Sequence, residues 1–473
     1  MIDTKSLPEL SAFAAYFEEI SRIPRISGMT SPIADYLVNF AKGRGLEYCR
    51  DEFDNVIIKK PAVAGYEDRP TVILQGHADM VPAGTPEKIE QLKSVGVKIV
   101  QEGDIIRADG TTLGADNGIA VAYMLAVLES SSISHPALEC LFTSNEEIGL
   151  LGAGAIDGAL LKGRVMINMD AGGDGCFIAG CAGGLKADIS LPILRESVFG
   201  KRYKITLSGF LGGHSGVDIH MNRVNAIKVL CEILDGLSDT RLVSFEGGSA
   251  DNAIPAGAEA VFIYDKDISS LCEITAPIFA KYKAIEPCAE MSVDEVSDEA
   301  RALDADSTER IISLILREPT GVVSMSADMP ELVETSLNIG TAQLLDNSFE
   351  LVISIRSPLE ESKLKVLSEV EKIAKAHNGS VGTSGEYPGW AYRKVSHLRD
   401  ICTKCHEELF GTSPAVVTIH AGLECGLFSS KLDGLDCISM GPTTYDVHTV
   451  NEHFSLLSAE RFWKLLIKVL DKI

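Results

Sequence analysis

Basic charge is in short supply: 43 lysines and arginines stand against 67 aspartates and glutamates, a formal net charge of -24. A surface of that sign repels nucleic acid and anionic membranes while tolerating cations. Any apolar run of membrane-spanning length is missing too. The amino end, Ser11 to Ile20, is amphipathic and acidic rather than charged and then apolar, so no signal peptide is expected. The 11 cysteines follow no regular spacing, which suits a reducing cytosol better than a disulfide-stapled secreted fold. These absences predict a cytoplasmic protein with no nucleic-acid and no membrane partner. Cys402-Thr403-Lys404-Cys405-His406 does match short redox and haem-attachment patterns. However, Leu398, Ile401, Cys402, Cys405 and Leu409 recur at helical spacing, so both thiols are expected in a helix core, and no second pair is present to complete a zinc site.

What the chain does have is acids and histidines where apolar runs stop. Ala137 to Thr143 reads as a short buried strand, and it delivers Glu146 and Glu147 just past its carboxyl end. Neighbouring side chains on extended backbone point in different directions, so one acid can bind a cation while the other faces a water on it. Alone, such a pair is more often a solvated loop. Other candidates follow the same grammar. Val72 to Gln75 ends in Gly76-His77-Ala78-Asp79, where a period of two would let Asp79 accept the second N–H of a metal-bound His77. Asp116 precedes the helical run Ile119 to Leu128, where it could simply cap the helix. Arg164 to Met169 ends in Asp170, and Cys437 to Met440 leads through Gly441-Pro442 to His448. Five N and O ligands at element ends, with one spare acid, are enough for two zinc-like ions sharing a carboxylate.

These residues resemble the M20 family of metallopeptidases, and within it the aminoacyl-histidine (Xaa-His) dipeptidase branch. The resemblance is carried by Gln75-Gly76-His77-Ala78-Asp79-Met80-Val81, Gly114-Ala115-Asp116-Asn117-Gly118, Asn145-Glu146-Glu147-Ile148-Gly149, Asn168-Met169-Asp170, Gly212-Gly213-His214-Ser215-Gly216, His420-Ala421-Gly422-Leu423-Glu424-Cys425-Gly426 and Gly441-Pro442-Thr443. It implies that His77 and Asp170 hold one divalent ion, that Glu147 and His448 hold the other, and that Asp116 bridges them. Glu146 would be the general base, Asp79 would orient His77, and His214 would serve the oxyanion. Asn252, Arg356 and Gly422 would lie near the substrate's carboxylate. The implied activity is hydrolysis of dipeptides, Xaa-His and β-alanyl-histidine included, with zinc as the expected ion and cobalt or manganese as alternatives. A broader dipeptidase, an aminoacylase and a non-catalytic metal- or peptide-binding protein are the rivals. The chain departs from the family where Ser-Pro usually follows the last ligand histidine: His448-Thr449-Val450-Asn451-Glu452 keeps the histidine and the acid only, which leaves His453 as a rival ligand.

At 473 residues and 45% hydrophobic the chain is too long for one ordinary core. Alternating strand and helix patterns predict an α/β catalytic domain, with a mostly parallel sheet and a two-metal site, over residues 1–184 and 396–473. An inserted α+β lid domain is expected over 185–395. Thr335 to Arg356 loosely echoes Ser249 to Asp265, so the lid is expected to contain two related halves. Such a doubled lid could supply His214 within one chain, or a homodimer through the lid could supply it from the partner. The acidic stretch Asp294 to Glu309 reads as a solvated helix.

Overall fold

The computed structural model describes residues 2–170, 172–297, 300–327 and 329–473. The chain divides into two compact units: Met1–Cys181 with Trp390–Thr418 and Leu423–Ile473, and Ala182–Gly389 with Ile419–Gly422. The divisions fall a few residues before those expected at 184 and 395. The segment Ile419–Gly422, which the sequence reading leaves in the catalytic part, belongs to the second unit and takes Gly422 with it.

The first unit is built on an eight-stranded sheet in the order Glu47–Arg50, Val56–Lys60, Leu138–Thr143, Val72–His77, Val165–Asn168, Asp436–Ser439, Cys176–Cys181, Ala415–Ile419. The central four are mutually parallel. Their near-continuous burial explains why they read as unbroken apolar runs rather than as alternating patterns. The helix Ala115–Glu129 lies against this sheet and buries almost its whole surface. Gly76 permits that approach, because a Cβ there would sit 2.3 Å from Asn117 Oδ1 and 2.4 Å from Ala120 Cβ. Phe13, Tyr123, Phe454 and Trp463 tie this helix to Ser11–Ser21 and Leu456–Lys472 through stacked and edge-on rings. Cys402 and Cys405 are both buried on the helix His397–Phe410, as the helical spacing requires.

The second unit carries a nine-stranded antiparallel sheet, and its main path runs Glu290–Val296, Arg202–Ser208, Ala258–Ile263, Arg241–Gly247, Val333–Leu344, Ser348–Ser357, Gly183–Pro192, Ser380–Tyr387. Each half is a hairpin, a helix and an edge strand. In the first half these are Arg241–Gly247 with Ala258–Ile263, the helix Ile268–Lys283 and the strand Glu290–Val296. In the second they are Val333–Leu344 with Ser348–Ser357, the helix Glu360–Ala376 and the strand Ser380–Tyr387. The two halves thus run through the same order of elements, with the first half's hairpin opening at Arg241 rather than at Ser249. The strand Ala253–Ile254 between them leaves the sheet to pair with Gly213–His214. The acidic stretch is also corrected. Asp294 to Val296 finish a strand and the helix starts only at Ala305, with Asp304 capping it through Ser307 N; residues 298 and 299 lie outside the described residues.

Glu318, just past that helix, is fully buried, and neither of its carboxylate oxygens has a hydrogen-bond partner among the described residues. Lys228 Nζ serves the helix end instead, donating to the carbonyls of Ile315, Leu316 and Glu318 at 2.8, 2.9 and 2.7 Å. Burial, only partly offset by the Lys228 charge, pushes the Glu318 carboxyl up to about 8. Its folded value then exceeds the unfolded one, so the folded state holds the proton longer and stability falls as pH rises between the two. Glu318→Gln is expected to raise the Tm at pH 9 and to leave it nearly unchanged at pH 5. Equal changes at both pH values in thermal unfolding followed by circular dichroism would refute this.

Candidate active site

Three neighbouring parallel strands stop in step. Gln75 is paired with Asn168, and His77 with Thr143, so His77, the Glu146–Glu147 turn and Asp170 all emerge at one carboxyl edge of the first unit's sheet. This is where open α/β sheets place ligands. The strand ends at His77, yet Asp79 still reaches back: its Oδ1 lies 3.5 Å from His77 Nδ1. Asp79 is itself held by Ser27 Oγ at 2.7 Å and by the backbone N–H groups of Glu146 and Glu147 at 3.0 and 3.4 Å. One carboxylate thus links the His77 loop to the Glu146 turn.

Asp116 enters from the helix start, and its side chain caps nothing. The backbone there is gripped by Glu452, whose carboxylate accepts the N–H groups of Leu113, Gly114 and Asp116 at 2.8, 2.9 and 3.1 Å. Arg25, 1% exposed, donates to the carbonyls of Ala78 and Asp79 at 3.1 and 3.2 Å and to that of Gly114 at 2.5 Å, and so ties the His77 loop to the Asp116 loop. Sequence reasoning missed Arg25 entirely, because nothing near Pro24-Arg25-Ile26 marks it. Glu452 was visible only as the acid four positions past His448.

The resulting geometry brings six candidates together. His77 Nε2 lies 2.9 Å from Asp116 Oδ1 and 3.3 Å from Asp170 Oδ1. His448 Nε2 lies 3.3 Å from Asp116 Oδ2 and 3.0 Å from Glu147 Oε1. Ligand atoms of His77, Asp116 and Asp170 fall within 4.8 Å of one another, as do those of Asp116, Glu147 and His448, and those of His77, Glu146 and Glu147. Asp116, like His77 and Glu147, is therefore shared by two groups, and its two oxygens face different histidines. His453 joins none of them; its Nδ1 lies 2.8 Å from the Asn451 carbonyl and its ring stacks on Tyr445.

Glu147 Oε1 and Asp170 Oδ1 are buried without a hydrogen-bond partner among the described residues. Each faces only a histidine Nε2, at 3.0 and 3.3 Å, and a cation lying between imidazole and carboxylate would relieve the cost of burying these charged acceptors. The donor set of carboxylate oxygens and imidazole nitrogens is the one zinc-like ions take. The residues present therefore fit two divalent ions. The charges respond accordingly. Burial opposes a charge on His77, but Asp170, Asp116 and Asp79 outweigh it and hold the imidazole well above its usual range. His448 is raised to about 10, chiefly by Asp116 and Glu147. Burial, opposed by His77 but reinforced by Asp170, Glu424 and Glu147, lifts the Glu146 carboxyl well above its usual range.

The remaining candidates lie in the second unit. The ladder between Gly213–His214 and Ala253–Ile254 sets His214 beside Asn252, whose carbonyl accepts Ser215 N at 2.8 Å. His214 Nδ1 accepts the backbone N–H groups of Gly216 and Val217 at 3.1 and 3.0 Å, which fixes the tautomer with its proton on Nε2. Burial and then Arg356 lower its pKa, so the ring stays neutral. Arg356 Nη1 donates to Tyr387 Oη at 2.7 Å, and its Nε has no partner among the described residues. Gly422 faces the same tyrosine, since a Cβ there would meet the ring at 2.8 Å. Two neighbours were not anticipated. Ser336 and His420 lie 2.7 Å apart, Oγ to Nε2, and burial, Arg356 and His214 push His420 down to about 4.

The model of peptidase family M20/M25/M40 matches residues 73–472. The cytosol non-specific dipeptidase of Escherichia coli K12 is 36% identical over 467 residues, which is 97% of this chain and 96% of that protein. The crystal structure of aminoacylhistidine dipeptidase from Vibrio alginolyticus superposes with a TM-score of 0.90 at 34% identity, covering 98% of this chain and 96% of that one. A tripeptidase from Staphylococcus aureus shares the fold, with a TM-score of 0.57 at 17% identity and coverage of 98% and 97%.

Proposed function

The chain belongs to peptidase family M20, and from that membership we propose that it is a two-metal dipeptidase, with Xaa-His dipeptides, β-alanyl-histidine included, among its substrates. The observation that carries the reading is Asp116, whose two oxygens face His77 and His448 of the His77–Asp170 and Glu147–His448 groups, with Glu146 beside His77 and Glu147. His77 and Asp170 would hold one ion, Glu147 and His448 the other, and Asp116 both; zinc is the expected metal. When bound, the ions supply Lewis acidity to the scissile carbonyl and to the attacking water. The protein's part follows from its own groups. The Asp79 backbone carbonyl, 3.2 Å from His77 Nδ1, accepts from it with the Asp79 carboxylate 3.5 Å away, and so keeps Nε2 as the ligand atom. Glu146, whose half-buried carboxyl binds protons readily, takes a proton from the attacking water and passes it to the leaving amine. His214, neutral and protonated on Nε2, is a ready donor to a developing oxyanion. Arg356 presents a planar fork suited to a substrate carboxylate, with Asn252 and Gly422 serving the same end of the substrate. His214 comes either from the same chain or, in a homodimer through the second unit, from the other copy. A cytosolic location belongs to the same reading; no helix among the described residues is long and apolar enough to cross a membrane.

The test is hydrolysis of β-alanyl-histidine, ordinary dipeptides and N-acyl amino acids by zinc-loaded and chelator-stripped protein. Zinc-dependent cleavage of dipeptides, fastest with histidine second, is the expected result. Cleavage across the dipeptides without that preference would keep the dipeptidase and discard the specificity. Cleavage of N-acyl amino acids alone would make the protein an aminoacylase, and no cleavage with two ions bound would make it a binding protein.

A further inference from the structure

One step inward from the proposed ligands, the four central strands of the first unit carry a row of polar side chains that none of the roles above uses. Ser439 Oγ donates to Asn168 Oδ1 at 2.5 Å, Asn168 Nδ2 to Gln75 Oε1 at 2.5 Å, and Gln75 Nε2 to Glu424 Oε2 at 2.5 Å. Thr143 Oγ1 donates to the same Glu424 oxygen at 2.8 Å. All five residues are fully buried. They contribute one residue each from Leu138–Thr143, Val72–His77, Val165–Asn168 and Asp436–Ser439, and Glu424 opens the helix Glu424–Lys431.

The hydrogen bonds run one way, and Glu424 is where they end. A primary amide can lie in either of two orientations, but a carboxylate oxygen only accepts. Turning Gln75 over would set its oxygen against Glu424 and its NH2 against the NH2 of Asn168. Glu424 therefore fixes Gln75, and Gln75 fixes Asn168 with its oxygen outward. That oxygen also accepts the backbone N–H of Asp170 at 3.2 Å. Apolar side chains of similar size would fill this space as well or better if packing were the only demand. Glu424 is moreover kept although its Oε1 has no hydrogen-bond partner among the described residues.

We propose that Glu424 is a positioning residue for the metal centre: as the terminal acceptor of this row it locks the Asn168 amide oxygen onto the Asp170 N–H and so holds Asp170 at its place beside His77. The inference rests on Asp170 being a metal ligand, as set out above. Partners of this kind, placed behind the ligands, change metal affinity by about 10- to 100-fold when lost.

The test is zinc affinity, measured by competition with a chromophoric chelator, together with the Tm of the metal-free protein. Glu424→Gln keeps an accepting oxygen and the side-chain shape but removes the one-way lock. It is expected to weaken one of the two zinc ions about 10-fold with little change in the metal-free Tm. Ser439→Ala, at the other end of the row, is expected to weaken the same ion, and the double variant to be no worse than Glu424→Gln, because both act through Asn168. Wild-type zinc affinity in Glu424→Gln, a loss that merely tracks a fall in Tm, or additive effects in the double variant would overturn the proposal. Should the wild-type protein bind two zinc ions yet cleave no dipeptide, the functional reading falls, and the zinc affinities still decide this one. A wild-type protein that binds no zinc overturns both.

Discussion

Glu146→Gln is expected to keep two zinc ions per chain and to lower kcat by about 10²- to 10⁴-fold, the usual contribution of a general acid–base group. His77, Asp116 and Asp170 form one ligand group and Asp116, Glu147 and His448 another, whereas Glu146 falls only in a third, with His77 and Glu147, which those two groups already use. Its backbone N–H is fixed by Asp79 Oδ1 at 3.0 Å, which orients the turn from the same carboxylate that faces His77. A side chain so placed, half-buried and with a raised affinity for protons, suits transfer from the attacking water to the leaving amine better than it suits a fourth carboxylate in an already anionic cluster. Glutamine keeps the shape and removes the base. The result to read is therefore a pair: zinc stoichiometry by native mass spectrometry and kcat on a dipeptide. Loss of an ion would move Glu146 among the ligands, and wild-type kcat would remove it from the chemistry.

How much of this was legible beforehand follows from the range of each interaction. Strand ends, helix starts and the acids beside them are local, so the positions of His77, Glu146, Glu147 and Asp170 could be read from apolar runs that stop. Which strands lie side by side is not local. Only the register between Val72–His77, Leu138–Thr143 and Val165–Asn168 reveals that those residues share one edge. The roles of the supports were hidden for the same reason. Arg25 acts on Gly114 across 89 positions, Glu452 on Leu113 across 339, and Glu424 on Gln75 across 349. A lone arginine or glutamate carries no periodic signal, and buried ones run against the usual expectation of exposure. The doubling of the second unit was half legible: the hairpin echo was audible in the apolar pattern, but its phase was misjudged. Ala253–Ile254 has a strand-like sequence and spends it on the ladder to His214 rather than on the sheet.

The second large effect is expected at Asp116. Asp116→Ala is predicted to lose both ions at zinc concentrations that saturate the wild-type protein, whereas His448→Ala, which touches one group only, is expected to retain one. The difference follows from geometry. Asp116 Oδ1 lies 2.9 Å from His77 Nε2 while its Oδ2 lies 3.3 Å from His448 Nε2, so this one carboxylate stands between both groups. Its removal leaves two of the proposed ligands to each ion, His77 with Asp170 and Glu147 with His448, with only the proposed base Glu146 near both pairs. Structural zinc sites use four ligands and catalytic ones three plus an open position, so two fall short of either. Turnover should fall with the ions, by about 10³-fold or more, since the metals supply several kcal/mol of charge stabilisation to the transition state. Misfolding is a weak alternative explanation at this position. The loop is held through backbone N–H groups bonded to Glu452 and through the Gly114 carbonyl bonded to Arg25, and the Asp116 side chain takes part in neither. The metal-free variant should accordingly unfold within a few degrees of metal-free wild type. Two zinc ions bound with wild-type affinity in Asp116→Ala would end the shared-carboxylate arrangement, and with it the assignment of His77 and His448 to neighbouring ions.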